Sequence, residues 1–180
     1  MPRLFTAIEV PQTTGMLLSL LRGGLPGARW IDVENYHLTL SFIGDIDDSL
    51  ARDVAEALDG IRRSAIEITI QGVDAFGGDR PKTLYARVQP VPTLMELQAA
   101  QERLLRRLGV PMDNRQYTPH VTLARLRHEA TARTTADWLA LRGGSGRMTF
   151  TAERFVLYSS RDSVGGGPYL VEEAYDLLMA

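Results

Sequence analysis

Two short stretches of the sequence repeat one chemical pattern, His37-Leu38-Thr39-Leu40 and His120-Val121-Thr122-Leu123. A tyrosine precedes each, Tyr36 directly and Tyr117 three places ahead. The chain has only three histidines, and two of them carry Thr two places on with Leu after it. Imidazole titrates near neutral pH. Two imidazoles facing one cleft therefore make an acid–base pair, one taking a proton from an attacking group and the other protonating a leaving oxygen. The Thr hydroxyls can donate to non-bridging phosphate oxygens, where charge accumulates in the transition state. The target that best suits this set is a phosphodiester flanked from both sides. A cyclic phosphate suits it most, because ring opening needs only water, a base and an acid. The motifs are nearly symmetric, so their residues alone do not say which histidine is the acid.

Elements of two different periods must position these groups. Both stretches are rich in aliphatic and β-branched residues and read as strands, Tyr36 to Ile43 and Tyr117 to Leu126. On a strand, residues i and i+2 share a face. His37 and Thr39 then share one face, with Leu38 and Leu40 turned to a core. His120 and Thr122 share another, opposite Val121 and Leu123. Strict alternation puts Arg125 on the face opposite His120, so it meets a groove only where the strand bends or ends. Trp30, Tyr36, Phe42 and Tyr117 are expected in the core, and His128 on the surface.

The remaining pattern fills in around these strands. Arg3 to Val10 alternates like a strand, as do Ile66 to Ile70 and Thr83 to Val88. Helices are expected through Met16, Leu17, Leu20 and Leu21, and through Leu50, Val54, Leu58 and Ile61 with Asp47 or Asp48 as cap. Two more are expected through Leu94 to Leu108 and over Thr131 to Leu141. Met148 to Ser159 reads as one long strand and Tyr169 to Leu178 as a last one. Gly165-Gly166-Gly167 precedes no helix and no Lys-Ser/Thr pair, so it reads as a rim of the groove rather than a phosphate loop. The order β-α-β-α-β-β-α-β-α-β-β predicts an α+β fold with antiparallel pairing. Each His strand lies between helices, which suggests two similar lobes. No linker separates them, so residues 1–180 are expected to form one domain with a groove between the lobes.

Composition narrows the classes. The chain is 44% hydrophobic and 23% charged, an ordinary globular balance. It has no cysteine, which excludes disulfides, zinc–thiolate sites and thiol nucleophiles and fits the cytoplasm. No residue set has the tight spacing of metal motifs, so neither metal nor cofactor is expected. No apolar run approaches the roughly 20 residues of a membrane helix. The net charge is −2, whereas proteins that track long nucleic acids carry basic excess. An RNA substrate would therefore be met at a small piece, such as a terminus, and the protein is expected to be a monomer.

These motifs resemble the two-histidine phosphoesterase superfamily, whose members carry two His-x-Thr-x motifs. Within it the sequence is similar to the LigT/ThpR-like RNA 2′,3′-cyclic phosphodiesterases, also called 2′-5′ RNA ligases. The similarity runs nearly end to end. Leu4-Phe5-Thr6-Ala7-Ile8 resembles the opening strand. Arg29-Trp30 and Glu34-Asn35 precede His37-Leu38-Thr39-Leu40-Ser41-Phe42-Ile43-Gly44 as in the family. Arg80-Pro81 matches the middle loop, Pro119-His120-Val121-Thr122-Leu123-Ala124-Arg125 the second signature, and Leu157-Tyr158-Ser159-Ser160 the late strand. Ser41 and Thr118 stand where Lys and Arg are common, and Tyr175 where Trp is frequent.

The resemblance implies a bilobal α+β fold, two lobes related by a pseudo-twofold axis, each with an antiparallel sheet and helices. It implies metal-free hydrolysis of RNA-terminal 2′,3′-cyclic phosphate to a 2′-phosphomonoester, with a weak reverse 2′-5′ ligation. It makes His37 the proton donor and His120 the proton acceptor, with Thr39, Thr122 and Arg125 holding phosphate. Two other readings stay open on the residues. One is a phosphodiesterase for a small cyclic phosphate or a 2′-5′ oligonucleotide. The other is a non-catalytic module that binds RNA or a nucleotide.

Overall fold

The computed structural model of the protein describes residues 3–144, 146–160 and 167–178. Gly165 and Gly166 of the expected glycine rim lie outside them. The strands are β1 (Arg3–Glu9), β2 (Ala28–Trp30), β3 (His37–Asp45), β4 (Ile66–Phe76), β5 (Thr83–Val88), β6 (His120–Leu126), β7 (Met148–Ala152), β8 (Arg154–Ser160) and β9 (Tyr169–Asp176). The helices are α1 (Gln12–Ser19), α2 (Asp48–Leu58), α3 (Pro92–Arg107) and α4 (Ala132–Arg142). The fold is thus mixed, with antiparallel pairing between its strands.

The sheet runs β7-β4-β5-β6-β3-β1-β8-β9, and β2 adds to β6. β3 and β6 lie at its centre and meet through a single residue pair, Leu38 opposite Val121. On either side of that narrow seam stands a four-stranded antiparallel half, β6-β5-β4-β7 and β3-β1-β8-β9. The motif-bearing strands are equivalent under an approximate twofold relation through the seam.

Local chemistry makes the helices. The Asp47 carboxylate accepts from the Leu50 N–H at 2.8 Å and caps α2, which buries Val54 and Leu58. Pro92 opens α3, where its missing N–H costs nothing. Leu94, Leu97 and Leu105 of α3 are fully buried and pack it onto β3 and β4. Thr131 and Thr134 form a reciprocal cap at the start of α4.

Three expectations from the pattern are corrected. The first helix, expected through Met16, Leu17, Leu20 and Leu21, ends at Ser19: Met16 and Leu17, and Leu20 just beyond it, are exposed, whereas Thr14, Gly15 and Leu18 are buried and Leu21 packs against the core. Gly15 faces in because a Cβ there would stand 3.0 Å from Val33, so the helix approaches the segment before β3 closely. The long strand expected over Met148–Ser159 is two strands that break at Glu153 and lie in opposite halves of the sheet. Finally, the second motif strand begins at His120 rather than at Tyr117.

Both motif strands carry a β-bulge directly after the motif Thr. In the β5–β6 register Tyr85 faces Thr122 and Leu84 faces Ala124, leaving Leu123 as the extra residue. In the β1–β3 register Ala7 faces Thr39 and Thr6 faces Ser41, leaving Leu40 as the extra residue. A bulge shifts the phase of the side chains beyond it. Leu123 and Ala124 are both buried, and Arg125 emerges on the other face. Leu40 and Ser41 are both buried, and Phe42 emerges.

Candidate active site

The seam brings the two motifs together. His37 and Thr39 are half-buried while Leu38 between them is fully buried, and His120, Val121 and Thr122 repeat that pattern. Because Leu38 and Val121 are directly opposed, His37 and Thr122 lie at one end of the seam, and Thr39 and His120 at the other.

Each imidazole is oriented by a backbone carbonyl two residues upstream. His37 Nδ1–H donates to Asn35 O at 2.8 Å, and His120 Nδ1–H donates to Thr118 O at 2.7 Å. A carbonyl oxygen only accepts, so Nδ1 carries the proton in both rings and Nε2 is left as the exchangeable nitrogen. Aromatic rings wall each imidazole. Phe5, Tyr158 and Tyr169 surround His37, with centroids 5.2, 5.9 and 5.0 Å away. Phe76 and Tyr85, stacked on each other at 4.0 Å, flank His120 edge-on.

Such walls have an electrostatic effect. Burial pushes His37 down to about 4, opposed by its bond to the Asn35 carbonyl, and the charges of His120 and Arg125 lower it further. His120 is lowered as well, first by burial and then by Arg125, against its bond to the Thr118 carbonyl. Both rings are therefore neutral at pH 7 in the free protein. Burial and the nearby Glu9 carboxylate push the Tyr158 hydroxyl up to about 12, so it is a neutral donor there.

Arg125 lies within electrostatic reach of both histidines. Its Nη1–H donates to Thr83 Oγ1 at 3.3 Å. The bulge at Leu123 is what turns it from the core face of plain alternation to the motif face. Phe42, expected in the core, is 59% exposed and lines a groove of about 950 Å³ with Thr39, Thr118, His120, Phe76 and Arg115. Phe42 stands three residues after Thr39, as Arg125 stands three after Thr122. That equal offset is the sequence signal that pairs them once the bulges are known. Phe5, Phe76, Tyr85 and Tyr169 carried no such signal, because cross-strand register brings them to the histidines. Tyr36 is buried as expected, and His128 is on the surface beside Glu129.

Tyr117 holds the two motifs together from outside the ladder. Its hydroxyl donates to Thr39 O at 2.7 Å, a contact spanning 78 residues of sequence and crossing the seam. Tyr117→Phe is expected to lower the stability of the fold by about 1 kcal/mol, the usual cost of one such bond. Urea denaturation measures it; an unchanged midpoint would remove the latch role.

Among the described residues no group of three or more His, Asp and Glu stands close enough to hold a metal ion. No helix among them is long and apolar enough to cross a membrane.

The sheet thus carries one His-x-Thr strand on each side of its central seam. The chain matches the family model of the 2′-5′ RNA ligase superfamily over residues 28–163, and it belongs to that family. The RNA 2′,3′-cyclic phosphodiesterase of Aeropyrum pernix is 32% identical over 111 residues, which cover 61% of this chain and 62% of that protein. The protein of the same name from Geobacillus stearothermophilus is 28% identical, and the match covers 67% of this chain and 41% of that one. For the Thermotoga maritima protein of that name the identity is 28% and the coverage 70% and 71%. The chain thus matches less than two thirds of the length of the first two relatives. Among solved structures, Escherichia coli LigT complexed with 3′-AMP superposes with a TM-score of 0.81 at 22% identity, covering 98% of this chain and 99% of LigT. A Thermus thermophilus protein superposes with a TM-score of 0.75 at 20% identity over 97% of both chains. At these identities the likeness establishes the fold.

Proposed function

We propose that the protein hydrolyses the 2′,3′-cyclic phosphate at an RNA terminus to a 2′-phosphomonoester without a metal. The observation that carries this reading is the meeting of two imidazole–hydroxyl pairs across one seam, with Arg125 turned to the same face by a bulge. The shared name of the curated relatives supports the substrate class.

In this reading His120 Nε2 accepts a proton from water as the water oxygen bonds to phosphorus. The bond from phosphorus to the ribose 3′ oxygen breaks. His37 donates a proton to that oxygen, and the phosphate stays on the 2′ oxygen. Thr39, Thr122 and Arg125 bind the non-bridging oxygens as charge builds on them. The exposed Phe42 ring offers a stacking surface for the base. The same steps with a 5′-hydroxyl in place of water bond that oxygen to phosphorus, release the protonated 3′ oxygen and make a 2′-5′ linkage weakly.

The donor role of His37 has an electrostatic requirement. Its ring is neutral in the free protein, so the proton must be taken up as the substrate anion arrives and offsets the burial penalty. kcat/KM reports the free enzyme and kcat the complex. The pH profile of kcat/KM is therefore expected to be a bell with its maximum below pH 6.5, since both histidines are lowered from that value. The maximum of kcat is expected at higher pH.

The test is turnover of 2′,3′-cyclic nucleotides, short RNAs ending in cyclic phosphate, and 2′-5′ oligonucleotides in the presence of EDTA. The expected result is a 2′-phosphate product, full activity with chelator, and the two displaced maxima. Loss of activity on chelation, or turnover of the 2′-5′ oligonucleotide alone, would overturn the proposal.

A further inference from the structure

Outside the two motifs, the rim of the site carries two ion pairs that are equivalent across the seam and reversed in sign. Glu9 on β1 lies directly opposite His37, and Arg87 on β5 lies directly opposite His120. Directly opposed residues of an antiparallel pair share a face, so both point to the motif face at the outer edge of each half-site. Each has a partner on the next strand, Arg154 on β8 for Glu9 and Asp74 on β4 for Arg87.

The two pairs are closed to different degrees. Arg154 brings both Nε and Nη2 onto one Glu9 oxygen, at 2.8 and 2.7 Å. Its charge is matched at close range. Arg87 reaches Asp74 only through Nη1, at 3.5 Å, and Asp74 also accepts from the Ala75 N–H at 2.8 Å. The other donors of the Arg87 guanidinium have no partner among the described residues, and its side chain is 55% exposed.

β4 makes room for that guanidinium. Its register slips between Ile70 and Val73, and Gly72 there has a φ of +80°. A Cβ on Gly72 would stand 2.6 Å from Nη2 and 3.1 Å from Nε of Arg87. The positive φ favours glycine, and a Cβ there would push the flexible end of Arg87 out of this position. The arginine is thus seated over a bare stretch of backbone with most of its donors uncommitted. The Arg87 guanidinium leans over Gly72 to Asp74 on β4, the strand farther from the seam, so it lies to the outside of the His120 half-site.

We infer that Arg87 binds a second phosphate of the substrate, the one on the 5′ side of the terminal nucleotide, and so selects an RNA end over a mononucleotide. The inference rests on the RNA-terminus reading proposed above. Arginine suits the task because its fork matches the geometry of a phosphodiester. The sign reversal gives the site a direction, because the matching position beside His37 is a carboxylate whose arginine is already engaged. The strand leaves by the His120 end of the seam, past Tyr85 and the Arg87–Asp74 pair.

The test compares Arg87→Gln and Gly72→Ala with the wild type in two assays. The first is kcat/KM on a four-nucleotide RNA ending in 2′,3′-cyclic phosphate relative to kcat/KM on the 2′,3′-cyclic mononucleotide. The second is the affinity of a fluorescent four-nucleotide RNA ending in a 2′-phosphate, which needs no turnover. The expected result is a roughly tenfold loss of RNA-over-mononucleotide preference in Arg87→Gln, a loss of the same kind in Gly72→Ala, and RNA affinity with a salt slope shallower by about 0.7. Equal effects on both substrates, or unchanged RNA affinity and salt slope, overturn the role of Arg87. If the wild type turns over neither substrate while Arg87→Gln still weakens RNA binding, the hydrolytic reading fails and the Arg87 contact stands.

Discussion

His120→Ala and His37→Ala are each expected to lower kcat/KM on a 2′,3′-cyclic phosphate by roughly 10²- to 10⁴-fold, the range of one positioned general acid or base. The two rings have different tasks in one proton circuit. Removing either one stalls the circuit, so the double variant should be little worse than the weaker single variant. Stability must be measured alongside. His37 sits among Phe5, Tyr158 and Tyr169, and its truncation leaves a hole. His37→Gln refills most of that space without restoring a titrating group, and it should be as inactive as the alanine variant. Unchanged turnover in either position's variants would sink the two-histidine mechanism.

Acid is expected to destabilise the fold through His37 well before the carboxylates are all protonated. Its pKa is about 4 in the folded protein and near 6.5 in the unfolded chain. As the pH falls through 6.5, the unfolded chain takes up the proton first. Stability therefore declines from pH 6.5 down to about 4 and levels off for this group below that, where both states hold the proton. A gap of this size is worth about 3 kcal/mol. His120 contributes with the same sign. The check is the urea midpoint at pH 7, 5.5 and 4.5 for the wild type and His37→Phe. The variant should lose less stability over that window, and a parallel loss in the two proteins would rule the linkage out. The comparison also removes the contribution of depressed carboxylates such as Glu102, which lies beside Arg106 and is common to both proteins.

Much of this was legible in the sequence because it is local. A period of two along His37–Leu40 and His120–Leu123 places imidazole and hydroxyl together on whatever sheet the strands join. The cap at Asp47 and the leucines of α3 follow from short-range rules of the same kind. Arg125 and Phe42 were assigned to the wrong faces for one reason. The bulges at Leu123 and Leu40 arise from pairing with β5 and β1, and alternation along a single strand cannot register an extra residue in it. The first helix misled for a related reason: hydrophobicity pointed to Met16, Leu17, Leu20 and Leu21, of which Leu21 alone packs against the core, whereas the close approach at Gly15 decided which side of the helix faces in.

The sequence by itself determined the four chemical groups, the strands that carry them and the antiparallel character of the sheet. It did so because spacing and side-chain type act within a few residues. Tertiary structure alone decided the single-pair seam that joins the half-sites, and the aromatic walls that keep both imidazoles neutral. It also decided the bulges that turn Arg125 and Phe42 from the core face to the motif face, and the bare Gly72 beneath Arg87. All of these depend on register between strands distant in sequence, from Phe5 against Phe42 to Arg87 against His120. Cross-strand register is set by the packing of the whole sheet, so no stretch of the chain specifies it alone.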